Sequence, residues 1–158
     1  MTGPGAAGEA PFAQLTESEC WARLRQAQVG RLAVLGADGP DIFPINIVVD
    51  SATVVFRTAE GTKLAAALAG GPVALEADGL QRGESRARAW SVVARGPAQL
   101  IRRPDDLLGT LDLPLYPWHA GRKGIFVRIE PTSITGREFD VVDTTWWGLG
   151  LGRPAAAD

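Results

Sequence analysis

Nine consecutive residues, Phe56-Arg57-Thr58-Ala59-Glu60-Gly61-Thr62-Lys63-Leu64, place two cations, two hydroxyls and a glycine between an apolar stretch and a run of helix formers. Those side chains can hold an anion. Arg57 and Lys63 supply charge, Thr58 and Thr62 supply hydroxyl donors, and Gly61 can turn the chain through positive φ. Upstream, Ala52-Thr53-Val54-Val55-Phe56 is β-branched and apolar and predicts a strand. Downstream, Lys63-Leu64-Ala65-Ala66-Ala67-Leu68-Ala69 predicts a helix. At a strand-to-helix turn the unpaired N–H groups of the first helical turn face outward, and a phosphate suits them. The same residues also spell a threonine-capped turn with exposed charges.

The elements that must position this turn follow from the rest of the chain. With 158 residues, 46% of them hydrophobic, the chain is expected to form one core-bearing domain over residues 13–148, with loose tails at 1–12 and 149–158. Met1 to Pro11 lacks the basic-plus-apolar pattern of a signal peptide, and no apolar run approaches the roughly 20 residues of a membrane span. The expectation is a soluble cytoplasmic protein. A net charge of -2 argues against nonspecific nucleic-acid binding, which needs a surplus of positive charge. Cys20 is the single cysteine, so no internal disulfide can form, and its place in a helix marks it as a small core residue. His119 is the single histidine and has no cysteine cluster beside it, which leaves no structural zinc site. No Gly-x-Ser-x-Gly elbow is present, so a Ser-His-Asp or Cys-His hydrolase finds no support either.

Thr16-Glu17-Ser18-Glu19 has capping-box spacing and predicts a helix from Glu17 to Gln28 that buries Cys20, Trp21 and Leu24. Strands are expected over 31–35, 42–49, 53–58, 72–77, 89–101 (bent at Gly96-Pro97), 124–130 and 132–137. The polar stretch from Asp78 to Arg88 predicts a loop, and Pro104-Asp105-Asp106 a short helix start. About six or seven mostly antiparallel strands with short helices at the turns make a mainly β protein, a small barrel.

In this order the segments resemble the FMN-binding split-barrel family that includes pyridoxamine 5′-phosphate oxidase. The resemblance spans about Leu15 to Arg137. It is carried by Gly30-Arg31-Leu32-Ala33, Pro44-Ile45-Asn46, Phe56-Arg57-Thr58 with Gly61-Thr62-Lys63, Trp90-Ser91-Val92, Ile129-Glu130-Pro131 and Ile134-Thr135-Gly136-Arg137. It implies a split β-barrel that forms a homodimer and binds FMN at the subunit interface. Arg57, Thr58, Thr62 and Lys63 would then hold the FMN phosphate. Pro44, Ile45 and Asn46 would line the flavin ring, Ser91 would be a further donor, and Trp118 would border the flavin from the partner subunit. The chain departs from a true pyridoxamine phosphate oxidase at its C-terminal end, where Trp146-Trp147-Gly148 stands in place of an Arg- and His-rich substrate site.

The activity this implies is an FMN-dependent oxidoreductase moving hydride or electrons between flavin and a small organic substrate. In such a protein the cofactor carries the difficult chemistry, so no acid–base pair need be legible. One alternative on the same fold is a reductase using the deazaflavin F420, whose acidic tail would call on Arg82, Arg86 and Arg88. The other is a non-catalytic flavin- or haem-binding protein, with His119 as the haem ligand. The Trp146-Trp147 pair is expected to dock back on its own subunit, because paired exposed tryptophans are costly in water.

Overall fold

The computed structural model describes residues 12–58, 68, 71–82, 87–101 and 125–141. Helix α1 (Glu17–Gln26) begins at the capping box that the sequence spells. Thr16 Oγ1 accepts from the Glu19 N–H at 3.3 Å, and the Glu19 carboxylate accepts from the Thr16 N–H at 2.7 Å. The helix buries Cys20, Trp21 and Leu24 and stops two residues earlier than expected, because Ala27 is already extended, with ψ 132°, to enter the next strand.

Eight strands are described: β1 (Phe12–Leu15), β2 (Val29–Gly36), β3 (Gly39–Asp50), β4 (Thr53–Thr58), β5 (Pro72–Arg82), β6 (Ala87–Ile101), β7 (Ile125–Ile129) and β8 (Ser133–Asp140). β1 is an element the sequence reading does not anticipate; it pairs with β8. Every pairing is antiparallel, and the ring β2–β3–β4–β7–β6–β5 returns to β2, closing a six-stranded barrel with β8 and β1 added beside β6. Closure removes the unpaired edges that an open sheet would leave.

Two strands are shared between halves of the barrel. β3 pairs with β2 through Asn46 and with β4 from Ile47 onward. β6 pairs with β8 from Arg88 to Arg95 and with β7 from Ala98 to Ile101. These handovers split the barrel wall, and the expected fold class, a mainly β split barrel, is what the chain adopts.

Alternation decides which side chains go inside. Leu32, Val34, Ile45, Ile47, Val54, Phe56, Val73, Leu75, Trp90, Val92, Val127 and Ile129 fill the barrel, and α1 closes it with Cys20, Trp21 and Leu24. Leu68, helical in the segment after β4, joins the same core.

The loop expected over Asp78 to Arg88 is corrected. β5 continues to Arg82 and β6 begins at Ala87, with Arg82 paired to Ala87. Polar composition misleads there because long-range pairing, not side-chain polarity, fixes the backbone. Gly79 marks contact rather than a turn: a Cβ on it would lie 2.7 Å from Trp90 ring atoms, so the glycine makes room for the indole. At the bend in β6, a Cβ on Gly96 would collide with the Glu130 carbonyl, which is why the strand can change partner at that point. The helix expected from Thr62, apart from Leu68, and that expected at Pro104 lie outside the described residues.

Candidate functional site

β4 is Thr53-Val54-Val55-Phe56-Arg57-Thr58, and its period of two sends Val54 and Phe56 into the barrel and Val55 and Arg57 to the outer face. On that face Arg57 is directly opposite Phe126 of β7, and its guanidinium carbon lies over the ring, 5.3 Å from the centroid. Phe126 packs with Val55, Ile101 and Val48 in a small apolar cluster distinct from the barrel core. Thr58 ends the strand, half-buried, opposite Ile125.

β3 lies on the other side of β4. Its Ile47 N–H donates to the Gln28 carbonyl at 3.1 Å, so by alternation the backbone groups of Ile45 and Phe43 also face β2, while those of Pro44 and Asn46 face the opposite edge. β4 pairs with that edge only from Ile47 onward. Pro44, which has no N–H to give, therefore sits where β3 needs none. One step beyond the Ile47–Phe56 pair, the register brings Asn46 toward Arg57. The Ile45 side chain is buried in the core and its backbone groups face β2, so at this edge Ile45 holds Pro44 and Asn46 in place.

The structure thus brings Arg57, Thr58, Pro44 and Asn46 to two neighbouring strands. Ser91 is on the outer face of β6, half-buried, between Asp78 of β5 and Arg137 of β8. β5 and β2 separate it from β3, three strand spacings or about 14 Å along the sheet. Thr62, Lys63 and Trp118 lie outside the described residues, as do Arg86, His119, Trp146 and Trp147.

Several charged groups elsewhere are matched within the described structure. Arg31 Nη1 reaches Glu76 Oε2 and Asp78 Oδ1, both at 2.6 Å, and these bonds, Asp78 first, hold the guanidinium above its ordinary pKa. Arg128 meets Asp50 at 3.0 Å. Glu138, buried on β8, is clasped by Arg23 of α1 and by Arg88 Nη1 at 2.8 Å, and Arg88 Nε reaches Asp140 at 3.3 Å. Cys20 is fully buried, and that burial pushes its thiol up, so it is a core residue and not a nucleophile.

Two participants in these arrangements escaped the sequence reading. Phe126 was visible only as an outward position in the alternating Ile125-Phe126-Val127-Arg128-Ile129. Glu138 had no local signal at all, because its partners are 115 residues away on α1 and across the sheet on β6.

Comparison with known proteins agrees with this architecture. The family model described as pyridoxamine 5′-phosphate oxidase matches residues 16–138. An uncharacterized protein of Mycobacterium tuberculosis is 33% identical over 128 residues, covering 78% of this chain and 82% of its own length. The crystal structure of a candidate pyridoxamine 5′-phosphate oxidase from Corynebacterium glutamicum superposes with a TM-score of 0.72 at 37% identity, over 85% of this chain and 98% of that one. An FAD-binding protein from Mycobacterium smegmatis superposes with a TM-score of 0.69 at 42% identity, over 80% of this chain and 99% of that one. Matched along most of its length by the family model and by relatives of this similarity, the chain belongs to the pyridoxamine 5′-phosphate oxidase family.

Proposed function

We propose that the protein is a flavin-dependent oxidoreductase whose Arg57 and Thr58 hold the flavin phosphate. The observation that carries this reading is the placement of Arg57 on the outer face at the end of β4, beside the edge of β3 that Pro44 and Asn46 present. The residues fit the group. A flavin nucleotide needs a cation and hydroxyl donors for phosphate, and backbone or amide groups for the polar edge of its ring; Arg57 and the β3 edge offer the first and last of these on adjacent strands, and Thr58, which follows the inner face of β4 by alternation, offers its hydroxyl from the strand end.

FMN is the smallest ligand with both features. The Mycobacterium smegmatis neighbour binds FAD, which shares the ring and the first phosphate, so the same residues would serve either nucleotide. Bound flavin would supply two-electron transfer to or from a small organic substrate. The chain's part is to bind the phosphate through Arg57 and Thr58, with Thr62 and Lys63 as further donors. Asn46 and the backbone of Pro44 orient the ring, with Ile45 anchoring them to β2, and the apolar cluster around Val55 and Phe126 keeps water from one side of the guanidinium. Ser91, about three strands from β3, would serve a second edge of the ligand, and Trp118 would come from the second subunit of a homodimer. No helix among the described residues is long and apolar enough to cross a membrane, in keeping with a cytoplasmic enzyme.

The deazaflavin alternative is the weaker one. Of its three candidate cations, Arg88 is already paired with Glu138 and Asp140, which leaves less charge for an acidic tail. Fluorescence titration of the purified protein with FMN, FAD and the deazaflavin coenzyme tests the choice. Micromolar or tighter FMN or FAD binding that weakens in Arg57→Ala and Lys63→Ala supports the proposal. Binding of the deazaflavin alone, or of no flavin, rejects it.

A further inference from the structure

We infer that Phe126 is a positioning residue that aims the Arg57 guanidinium at the flavin phosphate, an inference that rests on the flavin-binding reading above. Arg57 and Phe126 are direct cross-strand partners, and the cation sits over the ring face at 5.3 Å. The ring cannot easily swing away, because Ile101 of β6 faces Phe126 from its other side and Val55 and Val48 complete its packing. Val55 is 0% exposed and Ile101 9%. These residues point away from the barrel interior, so they contribute nothing to the core that Val54 and Phe56 build. What they make is an apolar floor beneath a cation.

A guanidinium over an aromatic face keeps its N–H donors in its own plane, directed sideways toward an anion. A free arginine side chain also loses about 2 kcal/mol of rotamer entropy on being fixed, and stacking restricts those rotamers before the ligand arrives. Four of the other described arginines are neutralised within the fold. Arg23, Arg31, Arg88 and Arg128 each meet a carboxylate. Among the described residues no carboxylate meets Arg57, and the same holds of Arg25, Arg82 and Arg95; what distinguishes Arg57 is the packed ring beneath its guanidinium. Arg137 also lies over a ring, that of Phe12, at 5.9 Å, but Phe12 is 60% exposed and offers no packed floor.

The test is a binding cycle read with two ligands, FMN and riboflavin, which differ by the phosphate. Phe126→Leu should weaken FMN binding about three- to tenfold, leave riboflavin affinity unchanged, and keep the melting temperature within a few degrees. Phe126→Trp, which retains a ring face, should keep FMN affinity. In an Arg57→Ala background, Phe126→Leu should have no further effect on FMN. Phe126→Met, which keeps apolar volume without a ring, replaces Phe126→Leu if the latter does not fold. Equal losses for FMN and riboflavin, or an undiminished effect in the Arg57→Ala background, overturn the inference and leave Phe126 as packing. An Arg57→Ala loss with unchanged Phe126→Leu and Phe126→Met overturns it alone, whereas failure of the wild type to bind FMN overturns it together with the flavin reading.

Discussion

Two arginine-bearing regions of this barrel are built on opposite principles. At the α1 end, Arg23 and Arg88 converge on the buried Glu138, and the cluster joins the helix to β8 and β6. At the end of β4, Arg57 meets an aromatic ring and a floor of aliphatic side chains. A buried carboxylate between two guanidinium groups satisfies its charge within the fold, and its loss would strand Arg23, whereas Arg88 keeps Asp140. A guanidinium on a ring gains only weak stabilisation and stays chemically unsaturated. The first arrangement serves the structure; the second suits a ligand.

That comparison can be broken most forcefully at Glu138. Glu138→Ala should destabilise the protein by about 3 kcal/mol, the low end for a buried pair because Arg88 is half exposed, as measured by urea denaturation. Flavin affinity of the folded fraction should not change. Arg57→Ala should do the reverse: it removes a charge-assisted phosphate contact of about 1.5–3 kcal/mol, seen as a ten- to hundredfold rise in the FMN dissociation constant, with a near-constant urea midpoint. If both substitutions move both quantities, the two regions are not functionally separate.

Smaller effects sharpen the picture by loosening α1, which carries Arg23. Thr16→Ala removes the N-cap bond to the Glu19 N–H and should cost about 1 kcal/mol in denaturant unfolding, again with flavin binding untouched. The smallest effect is on pH dependence. The Thr16 backbone N–H, followed by its hydroxyl, holds the exposed Glu19 carboxyl below its ordinary range. A lowered folded-state pKa means stability that is present above the unfolded carboxylate pKa and lost as pH falls through the folded one. Wild type should therefore exceed Glu19→Gln slightly in melting temperature at neutral pH, and the two should converge on acidification through the carboxylate range.

Local patterns were the legible part. The capping box at Thr16 and Glu19, the β-branched run of β4, the alternation in β7 and the glycine-proline bend in β6 all depend on residues a few positions apart. The number and order of the strands pointed to a barrel. Where the reading failed, long-range contact was responsible: Asp78 to Arg82 looked like loop until β6 paired with it, and Gly79 is explained by Trp90 across the ladder. For the site, residue chemistry proposed Arg57 and Thr58 and the family resemblance added Pro44 and Asn46, whereas Arg88 belongs to Glu138 and Asp140.

By itself, the sequence determined helix α1 and most of the strands, since propensity, capping and periodicity are properties of neighbouring residues. Only the tertiary structure decided that β3 leaves β2 for β4 at Asn46 and Ile47, and that Phe126 comes to lie under Arg57 from 69 positions away. Such partnerships are fixed by strand register and barrel closure. These depend on the whole set of pairings at once and leave no mark in any short stretch of chain.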